Sequence, residues 1–337
     1  MIEIKEKFSI KKYNTFGFDV TCSYFSTFST VEELKELIII HKNNNYPLMV
    51  LGGGSNILFT TDYKGLIIQS IIKGVEVISE TDQYVDVRVG SGENWDEFVE
   101  YCVQHDWSGI ENLSLIPGFV GTCPIQNIGA YGVEVKNVIN KVETLEIDTL
   151  KKHEFTNPEC KFGYRDSIFK RDLKSKHIIT HVHFRLNKKH EFVLNYGNLK
   201  DELQKYDSIS LKAIRQAVID IRNSKLPKPE EMGNAGSFFK NPEISLETFE
   251  YVKKSYSDIP FYPQGENRVK IPAGWLIEQS GWKGRSIGNA GVHNKQALVL
   301  VNLGNATGNE VLNLAKEIQN SVNQKFGIQL EMEVNVV

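Results

Sequence analysis

The chain has 337 residues, more than one hydrophobic core usually organises, so two or three domains are expected. Its hydrophobic share of 41% and charged share of 24% are ordinary for a globular protein. A net charge of −3 with no long basic run argues against a protein that tracks nucleic-acid phosphates.

In chain order, the start Met1-Ile-Glu-Ile-Lys-Glu-Lys7 lacks the apolar centre of a signal peptide. No apolar run reaches the roughly 18 residues of a membrane span, so a cytoplasmic protein without a membrane segment is expected. Residues 30–45 read as an amphipathic helix, with Thr30 able to cap it and Glu33 three residues on. Tyr46-Pro-Leu-Met-Val-Leu51 is a short apolar strand that breaks at Gly52-Gly-Gly-Ser-Asn56. With strands at 57–59 and 66–71, this opening reads as a small α/β unit.

From about Lys73 the texture changes. Val85, Val87 and Val89 alternate with Asp86 and Arg88, the pattern of a half-buried strand. Residues 94–105 look helical, a glycine-rich passage fills 109–132, and strands resume at 138–147 and 178–186. A helix over 210–224 puts Leu211, Ile214, Ala217, Val218 and Ile221 on one face. Lys225-Leu-Pro-Lys-Pro-Glu230 then reads as a hinge. Helices follow at 245–256, 274–281 and 309–326, with a strand at 297–302. The tail 328–337 alternates as a strand: Ile328, Leu330, Met332, Val334 and Val336 face one way, and Glu331 and Glu333 the other.

Several segments carry chemistry. Leu51-Gly-Gly-Gly-Ser-Asn-Ile57 lets backbone N–H groups approach a phosphate closely. It is not a dinucleotide fingerprint of the G-x-G-x-x-G kind, because Ile57 stands at the third glycine and strand residues follow. The passage 115–132 holds four glycines and two prolines yet stays apolar, as suits a wall against a flat cofactor. In Phe162-Gly-Tyr-Arg-Asp-Ser167, an arginine held by Asp166 could meet a carboxylate or a developing enolate. Gly233-Asn-Ala-Gly-Ser-Phe-Phe-Lys-Asn-Pro242 displays a serine without the elbow or partners of a hydrolase. Spacing alone does not choose between Glu331 and Glu333. His181 and His183 share a strand face and read as solvated for want of a third ligand. Cys22, Cys102, Cys123 and Cys160 form no C-x-x-C pair, so no metal site is expected.

Taken together these segments resemble the UDP-N-acetylenolpyruvoylglucosamine reductase family. N-T-F-G, L-G-G-G-S-N, I-P-G-x-V-G, P-I-Q-N-I-G-A-Y-G, Y-R-D-S, K-L-P, G-N-A-G-S-F-F-K-N-P and A-G-W-L-I occur in family order along nearly the whole chain. Asn195-Tyr-Gly-Asn-Leu199 resembles the type I branch, whose extra loop carries a substrate-covering tyrosine. The resemblance implies an α+β chain with an FAD-binding fold of the vanillyl-alcohol-oxidase type in two subdomains, plus a C-terminal α+β substrate-binding domain. The boundaries expected are 1–72 (joined by 328–337), 73–224 and 225–327.

It also implies non-covalent FAD, with NADPH as hydride donor and a UDP-sugar enolpyruvyl ether as substrate, in a monomer with no nucleic-acid or membrane partner. FAD contacts would come from Gly52, Gly53, Gly54, Ser55, Asn56 and Ile57, and from Pro117, Gly118, Gly121, Thr122, Cys123, Gln126, Asn127 and Gly129. Arg165, Ser237 and Glu333 match the catalytic positions, with Ser237 as proton donor. Tyr131, Tyr196, Lys225, Asn241, Tyr262 and Gln296 match substrate-binding positions. Three departures stand out: Met332 where the family often has proline, Asn335 where many type I members have arginine, and Cys123 where serine is common. The alternative is another FAD-dependent oxidoreductase of the same fold, acting on an alcohol or hydroxy acid.

Overall fold

The computed structural model describes residues 2–337. The chain divides into two compact units, one of Met1–Phe8, Cys22–Gly53 and Lys64–Ser224, the other of Ser9–Thr21, Gly54–Tyr63 and Lys225–Val337. The hinge expected after residue 224 is where the chain passes from one to the other. Residues 9–21 and 54–63, expected in the first subdomain, instead belong to the C-terminal unit. The physical reason is burial: Phe16, Phe18 and Leu58 lie in the same apolar core as Phe238, Phe239 and Ile271.

The first unit contains two sheets. One runs in the order Lys5–Ser9, Thr21–Phe28, Tyr63–Ser70, Leu48–Val50, and its last pair is parallel. The helix Val31–Asn44 packs on it through Leu34, Leu37 and Ile38. As the sequence suggests, Thr30 caps that helix by accepting from Glu33 N at 3.1 Å, while Glu33 reaches back to Ser29 N. The second sheet has five antiparallel strands, in the order Lys152–Thr156, Ile139–Glu146, His177–Asn187, Tyr84–Gly90, Val75–Glu80. Val85, Val87 and Val89 are fully buried, each contributing about 1.5–3 kcal/mol of burial. They pack with the helix Trp95–Gln104.

The opposite face of that sheet corrects one expectation. His181 and His183 are buried, not solvated. Glu143, on the neighbouring strand, takes His183 Nε2 at 2.6 Å and His181 Nδ1 at 3.3 Å. Arg88 forks onto the same carboxylate at 2.7 and 2.8 Å. Burial opposes ionisation of Glu143, but the Arg88 fork and the two imidazoles more than offset it and hold the carboxyl far below the usual range.

The second unit carries a four-stranded antiparallel sheet, Asn234–Ser237, Val299–Asn302, Ala290–Val292 and Ser286–Ile287. A smaller sheet of Glu243–Ser245, Arg268–Lys270 and Tyr262–Gln264 lies in the same unit. The helix Gly308–Phe326 opens with a complete Thr307–Glu310 capping box. Only glycine fits at its first position, since a Cβ on Gly308 would come within 1.9 Å of Phe59 O. The alternating tail is a regular strand only over Asn335–Val336, which pairs in parallel with Ile57–Leu58. Ile328, Leu330 and Val334 are buried as the alternation implies, whereas Val336 is exposed.

Candidate active site

In the first unit the two glycine-rich segments meet backbone to backbone. A Cβ on Gly52 would fall 2.4 Å from Thr122 Cγ2, one on Gly53 2.9 Å from Gly118 Cα, and one on Gly121 2.5 Å from Ser91 Cβ. The approach is held by Gln69 Nε2 donating to Gly52 O at 2.7 Å and Gly121 N donating to Ser91 O at 2.9 Å. A cleft opens beside this contact, walled by Leu51, Gly52, Thr122, Phe169, His177 and Ile179 among others. Bare glycine backbone together with aliphatic and aromatic side chains fits a dinucleotide with a flat ring, such as FAD. Cys123 is fully buried, and burial raises its thiol well above the ordinary value, so it packs in its neutral form.

Asn127, expected on the cofactor, is completely buried with its side chain committed internally. Its Nδ2 donates to Gly163 O at 2.9 Å, and its Oδ1 accepts from Lys136 N at 3.1 Å. Ser167 Oγ donates to Ile125 O at 2.7 Å. These bonds lash the glycine-rich loop to the turn that carries Arg165. Arg165 sits at φ +52°, a left-handed conformation that costs a non-glycine residue about 1–2 kcal/mol. Its Nη2 donates to Gly129 O at 2.7 Å. Asp166, expected to hold Arg165, turns instead to Arg171 at 3.1 Å.

Tyr131 is likewise left-handed, and its carbonyl accepts from Asn112 Nδ2 at 2.9 Å. The same amide donates to Val193 O at 2.8 Å, tying the Tyr196 segment to Tyr131. Tyr196 is exposed, and a Cβ on Gly132 would lie 3.4 Å from Tyr196 Cβ. Sequence reasoning missed Arg222, whose Nε is buried without a hydrogen-bond partner. Burial lowers its pKa, while Tyr131 and Asp96 act to raise it. Its signal was legible as a cation beside Ile221 on the buried face of the helix Leu211–Lys225.

In the second unit Gly54 has φ +66°, and a Cβ there would meet Tyr13 O at 1.9 Å. The N-T-F-G motif is stitched on both sides. Thr15 N donates to Gly54 O at 3.1 Å, Asn234 N to Thr15 O at 3.0 Å, and Thr15 Oγ1 to Asn234 O at 2.6 Å. Asn234 Oδ1 accepts from Gly236 N at 3.0 Å, and the strand is irregular between Asn234 and Ser237. That irregularity leaves Ser237 exposed between the buried Ala235 and Phe238.

Beyond Ser237 the chain pairs with the tail. Glu333 N donates to Phe238 O at 2.8 Å, and Lys240 N to Glu331 O at 2.9 Å, across a Phe239–Met332 bridge. The two glutamates are thereby told apart: Glu331 is exposed and pairs with Lys240, whereas Glu333 is half-buried. Asn56 Nδ2 donates to Glu333 O at 3.3 Å, and Asn335 Nδ2 to Asn56 O at 2.9 Å. Asn241 Oδ1 accepts from Ala273 N at 2.9 Å. Gln296 is half-buried, with Oε1 3.2 Å from where a Cβ on Gly274 would lie. Tyr262 is exposed on its strand, and Lys225 is half-buried at the end of its helix. Ser55 and Ile57 flank Asn56. Pro117 and Gln126 flank the stretch that meets Gly52 and Gly53.

Two family models match the chain: "FAD binding domain" over residues 23–149 and "UDP-N-acetylenolpyruvoylglucosamine reductase, C-terminal domain" over residues 228–337. The UDP-N-acetylenolpyruvoylglucosamine reductase of Bacteroides fragilis is 51% identical over 334 residues, covering 99% of this chain and all of the relative. That of Flavobacterium johnsoniae is 49% identical over 340 residues, covering both chains fully. Among solved structures, UDP-N-acetylenolpyruvylglucosamine reductase from Thermus caldophilus superposes with a TM-score of 0.68 at 23% identity, covering 100% of this chain and 98% of that one. A p-cresol methylhydroxylase with substrate bound reaches 0.50 at 12% identity, covering 96% of this chain and 84% of that one. These last two show the fold alone, the α+β FAD-binding fold of the vanillyl-alcohol-oxidase type.

Proposed function

The chain belongs to the UDP-N-acetylenolpyruvoylglucosamine reductase family, and we propose that Arg165, Ser237 and Glu333 carry its reduction of the enolpyruvyl ether to UDP-N-acetylmuramate, with NADPH as reductant. The product serves peptidoglycan precursor synthesis. FAD, when bound along the glycine-walled cleft, supplies hydride chemistry between the nicotinamide and the substrate's methylene carbon. Gly52 and Gly53, with Gly118, Gly121 and Thr122, would hold it by close backbone approach, and Gly54, Ser55 and Asn56 extend that segment.

The methylene carbon is electrophilic only because the adjacent carboxylate can accept charge. Arg165, its guanidinium fixed by Gly129 O, offers positive charge for that carboxylate as it becomes an enolate. Glu333 supports the same group, and Ser237 Oγ delivers the proton to the neighbouring carbon. A serine hydroxyl is a weak acid, but an enolate is basic enough to take its proton. Lys225 and Asn241 then stabilise the alkoxide. Tyr131, Tyr196, Tyr262 and Gln296 bind the nucleotide sugar, with Tyr196 closing over it.

The observation that supports these roles is the pairing of the Ser237 segment with the tail, where Glu331 is exposed and paired with Lys240 and Glu333 is half-buried. Among the described residues no helix is long and apolar enough to cross a membrane; a cytoplasmic monomer is part of the proposal. The test is turnover: purified protein given NADPH and the enolpyruvyl ether should yield a product heavier by one H2. Consumption of NADPH with the ether left intact would refute the proposal.

A further inference from the structure

The cleft of the first unit has a feature that these roles leave unused. Its lining joins glycine backbone and Thr122 with Ile125, Phe169, Ile178, Ile179 and the His177 imidazole. Phosphates suit the glycine backbone, and a planar base suits the apolar groups. With the hydride-handling ring assigned to the proposed Arg165 site, the base for this lining is adenine.

His177 is built into this wall. Its Nδ1 lies 2.9 Å from Thr144 Oγ1, which leaves Nε2 free for a ligand. Its ring stands edge-on to His153 at 5.1 Å and to Phe155 at 5.4 Å. His153 Nε2 in turn meets Glu146 Oε2 at 3.1 Å. The charged and titratable groups facing His177 are therefore His153 on Lys152–Thr156, Glu146 on Ile139–Glu146, and Lys176 beside it in the chain.

We propose that His177 contacts the adenine end of FAD as a neutral imidazole, and that its protonation loosens the cofactor. This rests on the chain being an FAD enzyme. Burial, then His153 and Lys176, keep the imidazole below its ordinary value of 6.5, against the pull of Glu146. It is neutral at neutral pH, and charging it would place a cation against an apolar wall and a base. FAD affinity is therefore flat above the pKa of the free site. Below it the affinity falls, with one proton taken up for each FAD released.

The experiment dilutes holoprotein at a series of pH values from about 8 to about 5.5, a span that brackets an ordinary imidazole. Flavin fluorescence reports release, and far-UV circular dichroism reports folding. The native Kd should be level at about pH 8 and rise toward the acid end, steepening toward about tenfold per pH unit once His177 is charged. His177→Phe, which the Phe155 and Phe169 surroundings accommodate, should hold FAD with no such rise, and His177→Gln likewise. A native Kd that does not change with pH, or an equal rise in both variants, overturns the role of His177. Protein that cannot be loaded with FAD even at about pH 8 overturns the flavoenzyme reading itself, a separate outcome.

Discussion

The backbone N–H of Glu333 donates to the carbonyl of Phe238, one residue past Ser237, at 2.8 Å. With Lys240 N on Glu331 O, the ladder uses the groups on either side of Met332 and skips the N–H of Met332 itself. A proline at 332 would therefore lose no bond of this ladder. Met332→Pro should cost less than about 1 kcal/mol, whereas Lys240→Pro, which removes a ladder donor, should cost roughly 2–3 kcal/mol. Denaturant midpoints of the two variants check this. Equal losses would contradict it.

The sequence made most of this legible where local chemistry decides the outcome. Thr30 and Glu33 announce their helix, and Val85, Val87 and Val89 announce a buried face, because capping and alternation act over a few residues. What it hid depends on distant partners. Nothing local says that Asn127 spends its amide on Gly163, or that Asp166 prefers Arg171 to Arg165. His181 and His183 looked solvated because Glu143 and Arg88 arrive from other strands. The difference in surroundings between Glu331 and Glu333 likewise depends on the Phe238 and Lys240 pairings, which span about 90 residues of chain.

Glu143 carries a prediction about acid stability. Its folded-state pKa lies far below the ordinary value of 4.5, so its contribution is fully present above about 4.5 and is lost as pH falls below it. Glu143→Gln should destabilise the protein by roughly 2–4 kcal/mol at neutral pH, since Arg88 and two buried imidazoles lose their anion. The gap from the native protein should narrow in acid. Thermal melts at several pH values test this, and a gap independent of pH would contradict it.

Tyr196 is exposed, three residues past Val193, whose carbonyl shares the Asn112 amide with that of Tyr131. If it closes over the nucleotide sugar, Tyr196→Phe should raise KM more than it lowers kcat, because it removes mainly binding. Steady-state kinetics decide the matter. A collapse of kcat at unchanged KM would end the lid assignment.

Ser237 stands exposed at an irregular strand end, and its proposed role is proton delivery. Ser237→Ala should leave reduction of the bound flavin by NADPH nearly normal. Its reoxidation by the enolpyruvyl ether should slow by at least the 10²–10⁴-fold typical of general acid catalysis. Ser237→Cys should recover part of that rate, since a thiol can supply a proton from nearly the same place. Equal slowing of both half-reactions would assign Ser237 a structural or nicotinamide-binding role instead.

The most direct test of the whole account is anaerobic stopped-flow of the native protein, following the visible flavin band. NADPH should bleach it, and the enolpyruvyl ether should then restore it within turnover time. Aerated buffer without the ether should restore it only slowly, because the electrons are meant for an alkene and not for oxygen. A protein without a flavin band, or one whose reduced flavin is reoxidised by oxygen and ignores the ether, would contradict the account.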